Sequence, residues 1–309
     1  MRIRNLLFAL LLTSATSSMA QMPLLSWVEI GVFGGVANYY GDLTQDYVVW
    51  DESHPAYGGF IKYNFNYRSG LKLDVIHGTI SAADANSDRA DQLLRNLSFT
   101  SDVTEVALVF EYSFPGMFPK ELRMPFRPYA NVGIAGFHFN PRTFFRGEWY
   151  DLQPIGTEGQ GINELDFREP YSLYEFAIPF GIGVKWAFSE RWNLGLEYAA
   201  RWTFTDYLDD VSRTYVDRNL LIEENGILAY QLSNRTGEYL LADNIDFGTN
   251  DFRGDPTDKD WYMFVGLTLS RNFISGTDEG FISLDKPGLG CFQPKYVKKH
   301  TKKNYRSTF

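Results

Sequence analysis

The chain has 309 residues, of which 17% are aromatic, with 27 glycines, one cysteine and a formal net charge of −9. A single cysteine excludes a disulfide scaffold within the chain, and no stretch beyond the start is long and apolar enough for a membrane helix. An exported soluble domain without disulfides would show a more concentrated apolar core, so this composition favours a membrane β-barrel, which dilutes its hydrophobicity by alternation.

Residues 1–20 have the pattern of a secretory signal peptide. Two arginines precede an apolar run from Leu6 to Leu12, and Ser18-Met19-Ala20 forms a small-residue cleavage site. Such a peptide is removed on export. The loss of its two arginines takes the net charge from −9 to −11.

Eight segments then alternate between apolar and polar positions with a period of two, which is typical of strands with one dry face. The last of them, Trp261 to Phe273, is apolar at nearly every second position and has aromatic residues at both ends. Its length is close to the roughly 9–11 residues that cross a bilayer as a tilted strand. The predicted segments are 26–38, 57–67, 70–80, 102–114, 127–139, 173–187, 191–205 and 261–273.

The connections between these segments fall into short turns and long loops, as outer-membrane barrels require. The turns are 68–70, 115–126 and 189–191, and the loops are 39–56, 81–101, 140–172 and 206–260. We therefore predict an all-β fold, an eight-stranded antiparallel up-and-down outer-membrane β-barrel over residues 21–276, with both chain ends in the periplasm.

Charged residues within the segments share the polar face, which would face the interior of so narrow a barrel. On the lipid face a basic residue near the midplane would cost roughly 2–4 kcal/mol. Four bases and six acids are predicted to pair inside the lumen as a structural network: Glu29, Lys62, Lys72, Asp74, Glu105, Glu111, Glu175, Lys185, Glu197 and Arg201. Arg271 falls on the lipid face, near the periplasmic end, where it could reach the headgroups.

Enzyme and metal chemistry have little support in the sequence. His77 and His138 near the outer rim, with Ser81 and Asp84, are the ingredients of a lipid hydrolase, but no spacing marks a nucleophile. The last outer loop is rich in aspartates, and the run 255–260 could hold Ca²⁺. A solvated loop is the simpler interpretation, so we assign no catalytic, cofactor or metal-binding residues.

The segment 277–309 differs in chemistry from the rest of the chain. Six lysines and one arginine against three acids give it a charge of +4, which leaves the preceding mature chain at −15. Aromatic residues lie between the bases, a composition that can dock on an acidic partner and order as it binds. The predicted partner-binding residues are Cys291, Phe292, Lys295, Tyr296, Lys298, Lys299, Lys302 and Lys303.

Cys291 is the one cysteine of an exported chain, so it has no partner within the molecule. A leftover cysteine in an oxidising compartment suggests an intermolecular disulfide or a free thiol. Our hypothesis is that Cys291 forms a disulfide with a periplasmic partner subunit. An inert unpaired thiol is the alternative.

The first segment carries a family resemblance in the residues Glu29-Ile-Gly-Val-Phe-Gly-Gly-Val-Ala-Asn-Tyr-Tyr-Gly-Asp-Leu43. A glycine-rich first strand that runs into Asn-Tyr-x-Gly-Asp resembles the PorG-like outer-membrane proteins of Bacteroidetes. This resemblance implies membership of the type IX secretion apparatus. It also implies contact with the periplasmic ring of PorK and PorN, and in some species a role in gliding. The glycines Gly34, Gly35 and Gly41 have a structural interpretation as well, in close packing and a tight turn.

We therefore predict a non-enzymatic outer-membrane protein without cofactors that anchors a PorK/PorN-like ring through its periplasmic tail. The first alternative is an outward-facing adhesion or ligand-binding barrel that uses its acidic loops. The second is the rim lipid hydrolase. A passive pore is disfavoured because the predicted lumen is filled with side chains.

Overall fold

The computed structural model describes residues 26–44, 50–117, 126–165, 167–189, 191–241 and 251–273. The predicted signal peptide and the predicted tail, with Cys291, lie outside the described residues. Of the helices in the described ranges, none has the length and apolar content needed to cross a bilayer.

Eight long strands form a closed antiparallel barrel, which confirms the predicted fold class. In chain order the strands are β1 (Trp27–Tyr40), β2 (His54–Asn64), β3 (Ser69–Ala83), β4 (Ser98–Ser113), β5 (Phe126–His138), β6 (Pro141–Phe145), β7 (Glu148–Asp151), β8 (Tyr174–Ala187), β9 (Trp192–Thr203) and β10 (Trp261–Phe273). β6 and β7 form a hairpin outside the barrel wall, beside the start of β4. The other eight strands pair in chain order around the barrel.

The barrel closes where β1 meets β10. Their register runs from Val28 opposite Phe273 to Tyr40 opposite Trp261, so the first and last strands begin and end at the same end of the barrel. A Cβ on Gly35 would overlap the carbonyl oxygen of Val265. Glycine is therefore needed there for the close approach of the two strands.

The alternation of apolar and polar residues decides which side chains face outward. On β9, Leu196 is 55% exposed and its neighbour Glu197 is 7% exposed. Aliphatic side chains are exposed on all sides of the barrel: Ile30, Val32, Ile61, Leu73, Val75, Val106, Leu108, Val132, Ile134, Ile182, Val184, Leu196, Leu267 and Leu269. An apolar exterior around a charged interior is the inverse of a soluble protein and is typical of a membrane barrel.

The four long loops fold together over one end of the barrel, which we call the loop end; the opposite end is the turn end. Loop 1 (41–53), loop 2 (84–97), loop 3 (139–173) and loop 4 (204–260), in their described parts, form what we call the cap. Its helices are α1 (Ala90–Arg95), α2 (Arg218–Glu224), α3 (Ile227–Ser233) and α4 (Thr236–Leu240). Leucines of three loops are buried in one core with residues of the barrel mouth: Leu43, Leu152 and Leu208.

The sequence analysis assigns no helix or strand to these loops, and in this respect it is incomplete. The helices of loop 4 are only 5–7 residues long, too short to show a helical period or to be stable alone. One of them has a local signal, since the Asp217 carboxylate accepts hydrogen bonds from the backbone N–H groups of Asn219 and Leu220 at the start of α2.

Candidate functional site

Four charged side chains form a closed set of ion pairs in the lumen. Lys62 Nζ lies 2.5 Å from Glu29 Oε2 and 2.9 Å from Glu111 Oε1. Lys185 Nζ lies 2.8 Å from Glu111 Oε1 and 3.5 Å from Glu29 Oε2. Each ammonium thus has two carboxylate neighbours and each carboxylate two ammonium neighbours. All four groups are buried, and buried charges persist only when they are paired in this way.

A second set of pairs centres on Lys72. Its ammonium lies 3.1 Å from Asp74 Oδ2 and 3.1 Å from Glu197 Oε1. Glu197 also accepts hydrogen bonds from the Tyr129 hydroxyl at 2.7 Å and from Asn131 Nδ2 at 3.2 Å. Neighbouring strands therefore satisfy the remaining acceptor capacity of this buried carboxylate.

The third set joins Arg201 to Glu105. The guanidinium donates through Nε at 3.0 Å to Oε2 and through Nη2 at 2.8 Å to Oε1. The Tyr262 hydroxyl donates to the same carboxylate at 2.6 Å. This fork-to-fork pairing fixes the orientation of both side chains.

Nine of the ten predicted lumen residues are buried in these three sets, and Glu175 lies apart from them. It is half-buried at the loop end of β8. The sequence analysis missed Arg127, which is 2% exposed and lies opposite Lys185 in the register of β5 and β8. Arg127 makes the buried lumen charges five bases and five acids, so the interior is electrically balanced. Because Arg127 precedes a proline at the start of the least regular segment, alternation did not reveal its direction.

The rim grouping expected for a hydrolase does not form. His77 Nδ1 lies 2.9 Å from Thr104 Oγ1, and Thr104 separates His77 from His138 in the strand register. The ring of His138 packs on Tyr174 with centroids 4.7 Å apart. The two histidines thus belong to an outward-facing row of side chains and share no acidic partner within the described ranges.

Ser81 and Asp84 have other partners. His54 Nε2, and not His77, lies 2.6 Å from Ser81 Oγ, while Asp84 is buried and accepts two hydrogen bonds from Arg95. In the part of the chain that the structure describes, no group of three or more His, Cys, Asp or Glu side chains is arranged to hold a metal ion.

The aspartates of the last outer loop divide into two populations, which corrects their interpretation as a solvated loop. Asp217, Asp251, Asp255 and Asp258 are exposed. Four others are buried in the cap: Asp206, Asp209, Asp210 and Asp260. Composition alone cannot separate the two populations, because both lie between turn-forming residues of the same kind.

Two of the buried aspartates meet at the hydroxyl of Tyr39 at the barrel mouth. The Tyr39 oxygen lies 2.7 Å from Asp209 Oδ2 and 3.0 Å from Asp260 Oδ1. A phenol donates only one hydrogen bond, so one of the two carboxyl groups must carry a proton of its own. Burial raises the pKa of both Asp209 and Asp260 well above the usual range, in agreement with a shared proton.

The Asn-Tyr-x-Gly-Asp motif thus has a structural role, which is to dock loop 4 on the barrel mouth. A Cβ on Gly41 would overlap the Tyr39 hydroxyl and Asp260 Oδ1. The Asp42 carboxylate accepts the backbone N–H of Asp255 at 3.0 and 3.2 Å. The close-packing role predicted for Gly34 is wrong, because a Cβ at that position would meet nothing within 4 Å.

Two buried arginines join the loops of the cap. Arg95 donates to both carboxylate oxygens of Asp84, and also to the carbonyl oxygens of Asp42 at 2.9 Å and Arg253 at 2.6 Å. Loops 1, 2 and 4 are therefore held by one guanidinium. A guanidinium is suited to this task because it presents five donors in a fixed plane.

Arg253 makes the corresponding link between loops 3 and 4. Its guanidinium donates to Glu158 Oε1 at 3.0 Å and to the carbonyl oxygens of Asp210 at 2.5 Å and Ser233 at 3.2 Å. Glu158 in turn accepts the backbone N–H of Ser212 at 3.0 Å. These contacts make the cap a folded unit and not a set of independent loops.

The buried carboxyl groups predict a cap that is more stable in acid than in base. Burial raises the pKa of Asp42 to about 7 and the pKa of Asp206 and Asp210 to about 6, against about 3.9 for an unperturbed Asp. Between these values the folded cap binds more protons than the unfolded one, so its stability falls as pH rises from about 4 to about 7 and levels off above.

We expect the opening equilibrium of the cap to increase by at least about tenfold between pH 5 and pH 8, since one pKa unit is a factor of ten. Hydrogen exchange in residues 204–241, corrected for the intrinsic pH dependence of exchange, measures this change. In Asp42→Asn the dependence should flatten, because the amide does not titrate. A wild-type cap that exchanges equally at both pH values contradicts the expectation.

The fold is shared with solved bacterial barrels at low sequence identity. The chain is similar to the N-terminal β-barrel domain of Pseudomonas aeruginosa OprF, with 14% identity, a TM-score of 0.35 and coverage of 82% of this chain and 100% of that one. It is also similar to the outer membrane protein OprG of the same organism, with 11% identity, a TM-score of 0.36 and coverage of 82% and 97%. A third similar structure is Neisserial surface protein A, with 8% identity, a TM-score of 0.37 and coverage of 80% and 97%.

No curated protein sequence matches the chain. A family model described as "Domain of unknown function (DUF6089)" matches residues 3–220, which is more than half of the chain. The protein therefore belongs to the DUF6089 family.

Proposed function

We propose that this protein is an outer-membrane component of a type IX secretion machinery that anchors a periplasmic ring through its C-terminal tail. The observation that carries the proposal is the pairing of Val28 with Phe273. Since β1 begins and β10 ends at the turn end, the chain that follows β10 leaves the barrel on the side opposite the cap.

Insertion in the outer membrane is supported by the barrel surface. Exposed aromatic side chains flank the aliphatic exterior at both ends, as in membrane barrels. At the turn end these are Tyr63, Phe65, Tyr112, Phe114, Phe126, Trp186, Phe188, Trp192 and Phe273, and at the loop end Tyr57, Tyr174, Trp202 and Phe204. Barrels of this class keep short turns in the periplasm and long loops outside, which favours a periplasmic tail.

A non-conducting role is supported by the interior. The lumen holds balanced ion pairs, and the cap covers the mouth of the barrel at the loop end. An eight-stranded barrel has room for its side chains but not for an aqueous channel beside them. A function in transport through this lumen would require breaking buried salt bridges, so the tail is the better candidate for the functional element.

The identity of the partner rests on the resemblance of the first strand to PorG-like proteins. In those proteins the barrel contacts the ring of PorK and PorN and supports secretion and, in some species, gliding. The tail is basic and aromatic, so the matching surface on the ring would be acidic. Cys291 would add a covalent link to a ring subunit.

We expect that deleting residues 277–309 abolishes secretion through this machinery while the barrel remains in the outer membrane. Non-reducing electrophoresis of native membranes should show a band heavier than the monomer that disappears on reduction and in Cys291→Ser. The matched control is Ser283→Ala, which changes a small tail residue and leaves the thiol. Secretion that survives the deletion contradicts the anchor, and a monomer band in all lanes contradicts the disulfide alone.

A second candidate function is outward-facing binding by the cap. It is favoured by aromatic side chains exposed on the folded loops: Phe144, Trp149, Phe167 and Phe252. Deleting the tail discriminates the two functions, because surface binding through the cap would survive that deletion.

A further inference from the structure

Arg271 is a charged residue in an apolar setting. Among the described barrel strands it is the one arginine or lysine at an outward position. Its register neighbours are Ile30 on β1 and Trp192 on β9, both of which have exposed side chains. The residues beside it in sequence, Ser270 and Asn272, are buried on the lumen side. The guanidinium therefore cannot join the ion pairs of the lumen.

Aromatic rings hold this guanidinium on the outer wall. Its central carbon lies 5.7 Å from the ring centroid of Trp192 and 5.2 Å from that of Phe273. Rings at these distances attract a cation and fix the plane of an arginine. Such contacts leave the N–H groups of the guanidinium unsatisfied, since a ring face replaces no acceptor in the plane.

One N–H group of Arg271 lacks an acceptor. Its Nε is buried and has no hydrogen-bond partner within the described ranges. A buried donor without a partner is costly and demands an explanation. An acceptor outside the polypeptide, in contact with the wall of the barrel, would supply the missing hydrogen bond.

A second arginine lies at the same place. The carbonyl oxygen of Arg191 accepts the backbone N–H of Asn272 at 2.8 Å, so the turn between β8 and β9 lies against the end of β10. Arg191 is exposed and precedes Trp192 directly. Two arginines thus border one tryptophan at the turn end of the barrel.

We propose that Arg271, with Arg191, binds the phosphate of a glycerophospholipid in the inner leaflet of the outer membrane. A phosphodiester offers oxygen acceptors in the geometry that guanidinium matches, with two parallel hydrogen bonds. The turn-end aromatic residues mark the level of the headgroups. The acyl chains would extend along the exposed side chains of Ile30 and Leu269. This inference rests on the proposed membrane insertion and is independent of the tail contact.

The test is lipid binding to the purified full-length chain, followed by native mass spectrometry in a nonionic detergent with added dioleoylphosphatidylglycerol. We expect one tightly held lipid on the wild type and a Kd that rises by about tenfold in Arg271→Gln, as for a lost charged hydrogen bond. Arg271→Lys should fall between them, because an ammonium keeps the charge and loses the fork. The matched control Arg89→Gln, on an exposed cap residue, should bind as the wild type does.

Several outcomes would overturn the proposal. One is an equal Kd for the wild type and Arg271→Gln, when both show the heat-dependent electrophoretic shift of a folded barrel. Equal affinity for dioleoylglycerol would reduce the site to apolar contact, and displacement by millimolar glycerol phosphate would make it a soluble-anion site. Loss of a co-purifying protein from Arg271→Gln with unchanged lipid affinity would assign the arginine to a protein contact. Cell fractionation tests the outer-membrane location separately.

Discussion

Replacing Glu111 by alanine is expected to lower the free energy of unfolding of the barrel by about 3–5 kcal/mol, the usual cost of leaving a buried charge unpaired. Glu111 accepts from Lys62 Nζ at 2.9 Å and from Lys185 Nζ at 2.8 Å. Without it, two buried ammonium groups would share the one carboxylate of Glu29. Urea unfolding in detergent, followed by the loss of the fast-migrating folded form, measures the change.

Two further variants identify the cause of this loss. The double variant Glu111→Leu with Lys185→Met removes one whole pair and should be more stable than Glu111→Ala, because an apolar pair can replace a buried ion pair at little cost. The control Asp102→Ala breaks a pair whose side chains are 47% and 37% exposed, and it should change stability by no more than about 1 kcal/mol. A Glu111→Ala barrel as stable as this control would mean that the lumen charges are solvated.

Replacing Arg253 by methionine is expected to open the cap while leaving the barrel closed. The substitution keeps the apolar stem and removes the donors to Glu158, Asp210 and Ser233. Leaving Glu158 buried without its base costs about 3–5 kcal/mol, which corresponds to an opening equilibrium higher by on the order of a hundredfold or more. Hydrogen exchange in residues 204–241 should rise by that factor.

Exchange in the barrel strands of the same protein is the internal reference, since none of the three lumen ion-pair sets includes Arg253. Arg89→Met is the matched control, because Arg89 pairs with Asp91 where both side chains are more than half exposed. It should leave exchange in the cap unchanged. If Arg253→Met exchanges in the cap no faster than this control, the loops are held by their apolar core and the guanidinium is dispensable.

The barrel was predictable from the sequence because the side-chain period of a strand is two and the lumen is narrow. Glu197 and Leu196 are neighbours in sequence, and a register error of one residue would have exchanged their surroundings. The same reasoning put Arg271 on the outward face, where the structure also has it. Alternation fails only where the pattern is interrupted, as at Arg127 before Pro128.

The cap was not predictable in this way, because its contacts join loops that are far apart in sequence. Arg95 and Arg253 bind carbonyl oxygens, which every residue has, so no residue type marks their partners. Whether an aspartate such as Asp209 is buried or exposed depends on the position of Tyr39, 170 residues away. Gly41 was recognised as part of a turn, but the crowding that requires glycine comes from Asp260.

The pairing of β1 with β10 also sets the order of assembly. Until residues 261–273 are made, β1 and β9 each present a row of backbone groups without a neighbour, and such edges recruit strands of other chains. Joining strands at opposite ends of the polypeptide is slow, because the intervening chain must first be brought to order. A nascent copy of this protein therefore has to be kept from self-association until its final strand arrives.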